Sequence, residues 1–207
     1  MDDRQISTRQ QIEAMVDNQW QRLARAGTWF SGQERVEIAK VAREAQSHDE
    51  SGLYVLTEVA TEAAKKIATE AHTIDQQWVE ECGERGLALL PMVELTAIIA
   101  QLSAIDTYYV GVGVTPRNLP EPQPGEPSQE EVKGAKLMRG WLPTRGVAGA
   151  PNCFSGVAAE ADALHEIHGA LYLSMPEMMD MNITKGLHRS QIELLAARTS
   201  NYNDCFY

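Results

Sequence analysis

The sequence predicts an all-α protein, a helical bundle, and three observations carry that expectation. Apolar residues recur at three- and four-residue steps along most of the chain, the spacing of one helix face. No stretch alternates apolar with polar residues as a half-buried strand does. Between the periodic stretches stand residues that start or stop helices: Ser31-Gly-Gln-Glu34 has the form of a capping box, Gly86 suits a C′ position, and Pro91 is acceptable in a first turn.

In chain order, the first helix spans residues 6–25, with Ile12, Met15, Val16, Trp20 and Leu23 on one face. The second opens at the Ser31 box, with Val36, Ile38, Val41 and Ala45 inward and Arg35, Lys40 and Arg43 more exposed, and ends near residues 47–52. A third covers about 55–71, rich in Ala, Glu and Lys, which are strong helix formers. A fourth covers about 75–85, and a long, mostly buried helix runs from Pro91 to about Val112. Residues 115–128 then hold Pro116, Pro120, Pro122, Pro124 and Pro127, which cannot sustain a helix and predict an extended linker. Helices resume at about 157–173, 176–182 and 188–199.

A chain of 207 residues suits one or two modest domains with a real core. Its 43% hydrophobic and 23% charged residues are those of an ordinary soluble protein. A formal charge of -11 with no basic patch argues against nucleic acid or an anionic membrane as partner. The polar start Met1-Asp-Asp-Arg-Gln lacks the apolar core of a secretory signal, and the longest apolar segment, residues 87–114, is interrupted by Glu94, Gln101 and Asp106. The expected compartment is the cytoplasm. Three widely spaced cysteines, Cys82, Cys153 and Cys205, fit neither a disulfide framework nor a zinc site, and Cys82 and Cys153 read as plain buried thiols.

The end of the chain is the most informative stretch. An apolar helix carries one acid, Glu193, and a polar turn, Ser200-Asn-Tyr-Asn-Asp204, leads to Cys205 in what would be the first turn of a further helix. Unpaired backbone N–H groups and the helix dipole there favour a thiolate, the nucleophilic form of cysteine. The run Arg189-Ser-Gln-Ile-Glu-Leu-Leu-Ala-Ala-Arg-Thr-Ser-Asn-Tyr-Asn-Asp-Cys205-Phe-Tyr207 resembles the core motif of the alkylhydroperoxidase D-like, or carboxymuconolactone decarboxylase, family. In its peroxidase members a glutamate is followed twelve positions later by the first cysteine of Cys-x-x-Cys, and a histidine lies four beyond the second. Glu193 and Cys205 match the first two positions; the second cysteine would be position 208. A sequence that stops at Tyr207 invites the expectation that the natural product continues, with position 208 a cysteine or a selenocysteine read from UGA; the alternative is a chain that has lost the redox pair.

The resemblance implies the alkylhydroperoxidase D-like bundle of two related halves: residues 1–114 as a half-repeat without a redox cysteine, 115–128 as the linker, and 129–207 as the half that starts the redox motif. A faint internal repeat agrees with it, since Glu37 sits in Arg-Val-Glu-Ile-Ala much as Glu193 sits in Gln-Ile-Glu-Leu-Leu, and Asp49 takes the place of Cys205. It also implies a peroxidase-like thiol or selenol oxidoreductase acting on organic or hydrogen peroxides, with a thiol reductant or redox protein as partner and no cofactor. Cys205 would be the resolving partner of position 208, and Glu193 would serve in a proton relay. Tyr207 stands where some members carry a relay histidine.

Other readings stay open. Glu193 also fits a half-exposed helix acid paired with Arg189 or Arg198, and Cys205 a small buried hydrophobe. A lyase of the carboxymuconolactone decarboxylase type would need a cation for a lactone acid, for which His188 is the candidate near the motif; a non-catalytic partner-binding subunit is the third class. His165 and His168, with Glu160, Asp162 and Glu166 nearby, have metal-compatible spacing but no second set, so no metal is expected. Met175, Met178, Met179 and Met181 read as gap-fillers of a core, and Trp20, Trp29, Trp78 and Trp141 as packing anchors. The apolar face of helix 188–199, if left uncovered, predicts a homo-oligomer.

Overall fold

Glu58-Val-Ala-Thr-Glu and the other Ala- and Glu-rich runs do form helices, each bounded by the cap that its flanking residues supply. The computed structural model describes residues 3–49, 52–146, 149 and 152–203, with side chains from residue 9 onward. Helix α1 spans Asp3–Ala24, α2 Gly32–Ser47, α3 Glu58–Glu70, α4 Gln76–Glu84, α5 Leu89–Gly111, α6 Ala158–Leu171, the single turn α7 Met175–Met178, and α8 Arg189–Tyr202. The Ser31–Glu34 capping box opens α2 as its sequence requires, with Ser31 accepting from the Glu34 N–H and Glu34 accepting from the Ser31 N–H. Thr57 caps α3, which therefore starts at Glu58 and not at Val55; Asp75 caps α4 through the Trp78 N–H at 2.8 Å. Gly86, at φ +102°, follows the end of α4 in the left-handed region that glycine tolerates.

The protein is all-α. Among the described residues the extended pairing in named strands is a two-residue antiparallel ladder, Thr184–Lys185 (β1) against Leu187–His188 (β2), turned at Gly186 with φ +74°. It sets the entry of α8, whose first turn is capped by the His188 ring and by Gln191 reaching back. Helix α8 runs to Tyr202, so Ser200, Asn201 and Tyr202, which the sequence places in a polar turn, are helical. Asn203 closes the helix, its N–H and side chain both donating to the Thr199 carbonyl.

Helix α5 is the axis of the bundle. Its composition is apolar enough, and its 23 residues long enough, to cross a membrane, yet neighbours cover most of its surface. On one side Leu95, Ile98 and Leu102 meet Ile38 and Val41 of α2 and Ala63 of α3. Toward its C-terminal end Ile105 and Tyr109 meet Ile12, Met15 and Val16 of α1 and Ile167 of α6. Val93 and Ala97 meet Phe154 and Val157 just ahead of α6. An all-round apolar helix buried by its neighbours on several faces is the arrangement its sequence demands.

The proline-rich stretch is extended, as five prolines in 115–128 require, and it is tied down along its length. Trp20 Nε1 donates to the Asn118 carbonyl at 2.7 Å, the Gln123 N–H to Ala24 O at 2.7 Å, and the Ser128 and Gln129 N–H groups to Gly27 and Thr28 carbonyls. Arg117 pairs with Glu13 and Asp17 of α1, and Arg43 of α2 donates to the Arg117 carbonyl while gripping Asp106 of α5 with two nitrogens. Of the tryptophans, Trp20, Trp29 and Trp78 pack against the core and Trp141 is exposed. Met175, Met179 and Met181 are exposed too, a correction to their expected role as gap-fillers: α7 is a single turn on the outside and offers them no core to fill.

Truncating Leu95, fully buried where α5 meets α2 and α3, leaves a cavity that rigid helices cannot close. Leu95→Ala should lower the unfolding free energy by about 2–5 kcal/mol in urea titration, while Leu53→Ala, at an exposed loop position ahead of α3, should change it by less than about 0.5 kcal/mol.

Candidate functional site

Two polar constellations stand out, one around a residue singled out by the sequence and one that sequence reasoning missed. The first is at Glu193. Its Oε1 accepts from the Tyr172 hydroxyl at 2.8 Å and from Arg189 Nε at 2.6 Å, one turn earlier on the same helix. The Tyr172 bond first, and Arg189 after it, hold the Glu193 carboxyl below its usual range, so the group is a carboxylate at neutral pH. Burial, and then the bond to Glu193, push the Tyr172 phenol up, which keeps its proton in place. Arg189 also donates to the Met178 carbonyl at 3.0 Å, anchoring the pair to α7.

Tyr172 lines an open groove of about 680 Å³ between the end of α6 and one side of α8. Leu171, Ile192, Leu195 and Ala196 give it apolar walls, Ile12 and Tyr108 contribute from α1 and α5, and Thr199 and Ser200 stand at the Cys205 end of α8. Cys205 itself lies outside the described residues. The other two cysteines are poor nucleophiles: burial pushes both the Cys82 and the Cys153 thiol up, so each carries less thiolate than free cysteine. His188 has its Nδ1 committed to the first turn of α8, accepting from the Ser190 N–H at 3.3 Å. His168 Nδ1 is bonded to the Leu173 carbonyl and the ring meets Tyr172 edge-on at 5.0 Å, which orients it toward that loop. Among the described residues no group of three or more His, Cys, Asp and Glu could hold a metal ion.

The second constellation is in the core. Arg35 of α2, expected among the more exposed positions, is buried, and so are Glu94 of α5 and Glu160 of α6. The Arg35 guanidinium uses one nitrogen, Nη1, for both carboxylates: it donates to Glu94 Oε1 and, at 2.8 Å, to Glu160 Oε1. The other oxygens are also satisfied, Glu94 Oε2 by the Trp29 N–H at 2.6 Å and Glu160 Oε2 by Gln101 Nε2 at 3.1 Å. Burial works against the charge on Arg35, but the attraction of Glu160 and Glu94 outweighs it and raises its pKa. Burial also pushes the Glu94 carboxyl up, more than Arg35 pulls it down. Gly27 packs directly on this cluster; a Cβ there would collide with the Glu94 carboxylate and the Arg35 guanidinium.

Above Arg35 and Glu160 opens a cleft of about 570 Å³, with Arg22 and Arg25 of the α1 end on one side and Ala159 and Glu166 of α6 on the other. The signal that could have found the cluster was Glu94: an acid inside an apolar helix needs a buried partner. The identity of that partner was out of reach, since Arg35 precedes it by 59 residues and Glu160 lies 125 from Arg35. The chain matches no protein-family model, no curated protein and no solved structure.

The cluster holds two carboxylates against one guanidinium, so removing the cation strands both acids. Arg35→Met should cost about 3–5 kcal/mol of stability at neutral pH. Glu94 has its folded pKa above the unfolded value, so its stabilising contribution is complete below about pH 4.5 and is withdrawn as pH rises through the folded value. Glu94→Gln, which keeps an acceptor for the Trp29 N–H, should therefore gain on the wild type as pH is raised from about 4 to 7 in paired urea titrations.

Proposed function

We propose that the chain is a peroxidase-like thiol oxidoreductase of the alkylhydroperoxidase D-like type, with Cys205 as its redox-active sulfur. The observation that carries this reading is the Glu193 carboxylate, held ionised by Tyr172 and Arg189 on the helix that leads to Cys205, beside an apolar groove. The residue that the motif assigns to proton transfer thus has a proton-bearing neighbour already bonded to it. Burial pushes the thiols of the two other cysteines up, which favours Cys205 over them for the chemistry.

In the reaction a thiolate attacks the terminal oxygen of ROOH; the S–O bond forms as the O–O bond breaks, sulfur is oxidised to sulfenic acid, and RO⁻ leaves and takes a proton to become ROH. A second thiol then condenses with the sulfenic acid, releasing water and forming a disulfide, which an external dithiol reduces. Glu193 accepts the proton given up by a thiol, with the Tyr172 hydroxyl still donating to its Oε1. The apolar walls of the groove favour an organic hydroperoxide over hydrogen peroxide. Leu194 and Tyr202 of α8 are exposed, and this face is the contact of a homo-oligomer in this reading.

The test is direct. In wild-type protein exposed to cumene hydroperoxide, Cys205 should be oxidised, as a sulfenic acid or in a disulfide, by peptide mass, and the protein should consume peroxide with dithiothreitol. Cys205→Ser should lose turnover with dithiothreitol, and Glu193→Gln should slow the oxidation by roughly 10²-fold, the scale of a lost proton-transfer group. Oxidation at Cys82 or Cys153 in place of Cys205, or an unaltered turnover in Cys205→Ser, would reject the assignment. Sedimentation at micromolar concentration should show a dimer or larger species; a monomer would remove the oligomer.

A further inference from the structure

The stretch after the proline-rich segment carries a charge pattern unlike the rest of the chain. Residues 132–159 hold four cations, Lys133, Lys136, Arg139 and Arg145, and no Asp or Glu, in a chain whose net charge is -11. All four are exposed, and none forms an ion pair among the described residues. Glu130 and Glu131 stand just ahead of them, so the segment 130–145 keeps a surplus of two positive charges.

Backbone bonds close part of this stretch into a loop. Lys136 and Thr144 exchange both N–H···O bonds, at 3.1 and 3.0 Å, which brings the ends of residues 136–144 together. The base of the loop is set into the body: Pro143 and Thr144 are buried, Leu142 packs against the core, and the Arg145 N–H donates to Ser155 Oγ at 2.8 Å. The tip lies outside. Leu137, Met138 and Trp141 are all exposed, with Arg139 and Gly140 between them. Large apolar side chains gathered this closely on a fixed loop mark a surface that meets something other than water.

From this we infer that loop 136–144 docks on an anionic lipid bilayer, with Leu137, Met138 and Trp141 entering the headgroup region and the four cations meeting lipid phosphates. A bilayer accepts an apolar tip without a shaped recess, whereas a protein partner needs a matching pocket, and Lys is depleted at protein interfaces. Tryptophan beside Lys and Arg is the composition of a membrane–water boundary, where the ring sits among headgroups and long cationic side chains reach the anions around it. Nucleic acid would reward the cations alone and leave Leu137 and Met138 without an apolar partner. The net charge of -11 argues against an anionic partner for the chain as a whole. It acts weakly here, because charges more than about 8 Å from the lipid are screened at physiological salt, while the cations of a docked loop lie within that range. The inference does not rest on the peroxide reaction, and a chain without that activity would bind the same surface.

Flotation of the full chain with vesicles of phosphatidylcholine alone, and of phosphatidylcholine with one-third phosphatidylglycerol, tests it. Binding should be at least roughly tenfold tighter to the anionic vesicles and should weaken as salt is raised. Arg139→Gln and Lys133→Gln should each weaken it by roughly fivefold, the worth of one cation near an anionic surface, and Leu137→Ser by a similar factor. Melting temperatures should not change, since these positions are exposed. Arg198→Gln, which removes a cation from α8, should leave binding unaltered. Brominated lipid should quench tryptophan fluorescence in the wild type and far less in Trp141→Phe, because Trp20, Trp29 and Trp78 pack against the core. No flotation with anionic vesicles, equal binding to both vesicle types, or wild-type affinity in Arg139→Gln and Leu137→Ser would each overturn the inference. A DNA duplex bound more tightly than the anionic vesicles would reject it in favour of nucleic acid, and lipid-free self-association that Leu137→Ser abolishes, without flotation, would give the loop to a second copy.

Discussion

One guanidinium holds the bundle's three principal helices in register. Arg35 projects from α2 to Glu94 on α5 and Glu160 on α6, and all three side chains are shut off from water. Taking such charges out of water costs several kcal/mol for each ion, and mutual attraction repays it only where every remaining lone pair finds a donor. Here the Trp29 N–H and the Gln101 amide supply those donors. The arrangement tolerates little sliding or rotation, because each carboxylate must keep one oxygen on Arg35 and the other on its own second donor. Its demands reach beyond the helices: Gly27 must stay without a side chain so that the loop can lie against the ion cluster.

Helix α6 carries this constraint to both cavities. Its first turn contributes Glu160 to the ion cluster and Ala159 to the wall of the arginine-lined cleft; its middle contributes Glu166, held by two amides of α1; and its end contributes Leu171, followed by Tyr172, to the apolar groove. The two cavities differ in chemistry for a local reason. The cleft sits beside Arg22 in the last turn of α1 and Arg25 just after it, and the groove sits where α8 turns Ile192, Leu195 and Ala196 toward α6. A single helix 14 residues long thus spans a polar cavity and an apolar one.

The periphery is held mainly by polar backbone contacts. Prolines deprive the stretch 115–128 of five N–H groups, and among those that remain Gln123 and Ser128 donate to carbonyls at the end of α1 and in the loop after it. The hairpin and α8 are attached more lightly: no residue of α8 is fully buried, and its link to the body runs through Arg189, Glu193 and Tyr172. Leu194, Leu195, Met179 and Met181 are exposed in this part of the molecule.

What the sequence determined by itself is local. Helix periodicity, the Ser31 cap, Gly86 after α4 and the proline break at 115–128 are legible because each depends on residues within a turn or two of one another. The pairing of Glu193 with Arg189 is legible for the same reason, being one helical turn apart. The extension of α8 through Tyr202 was hidden because Ser and Asn serve equally in a turn and in a helix end, and the contact that decides between them, Asn203 on Thr199, exists only once the helix has formed. Tertiary structure alone chose the burial of Arg35. Its position on α2 lies at the edge of the apolar stripe, and which side of that edge it takes is set by two acids far along the chain, through Coulomb attraction in a dry interior that no local pattern encodes.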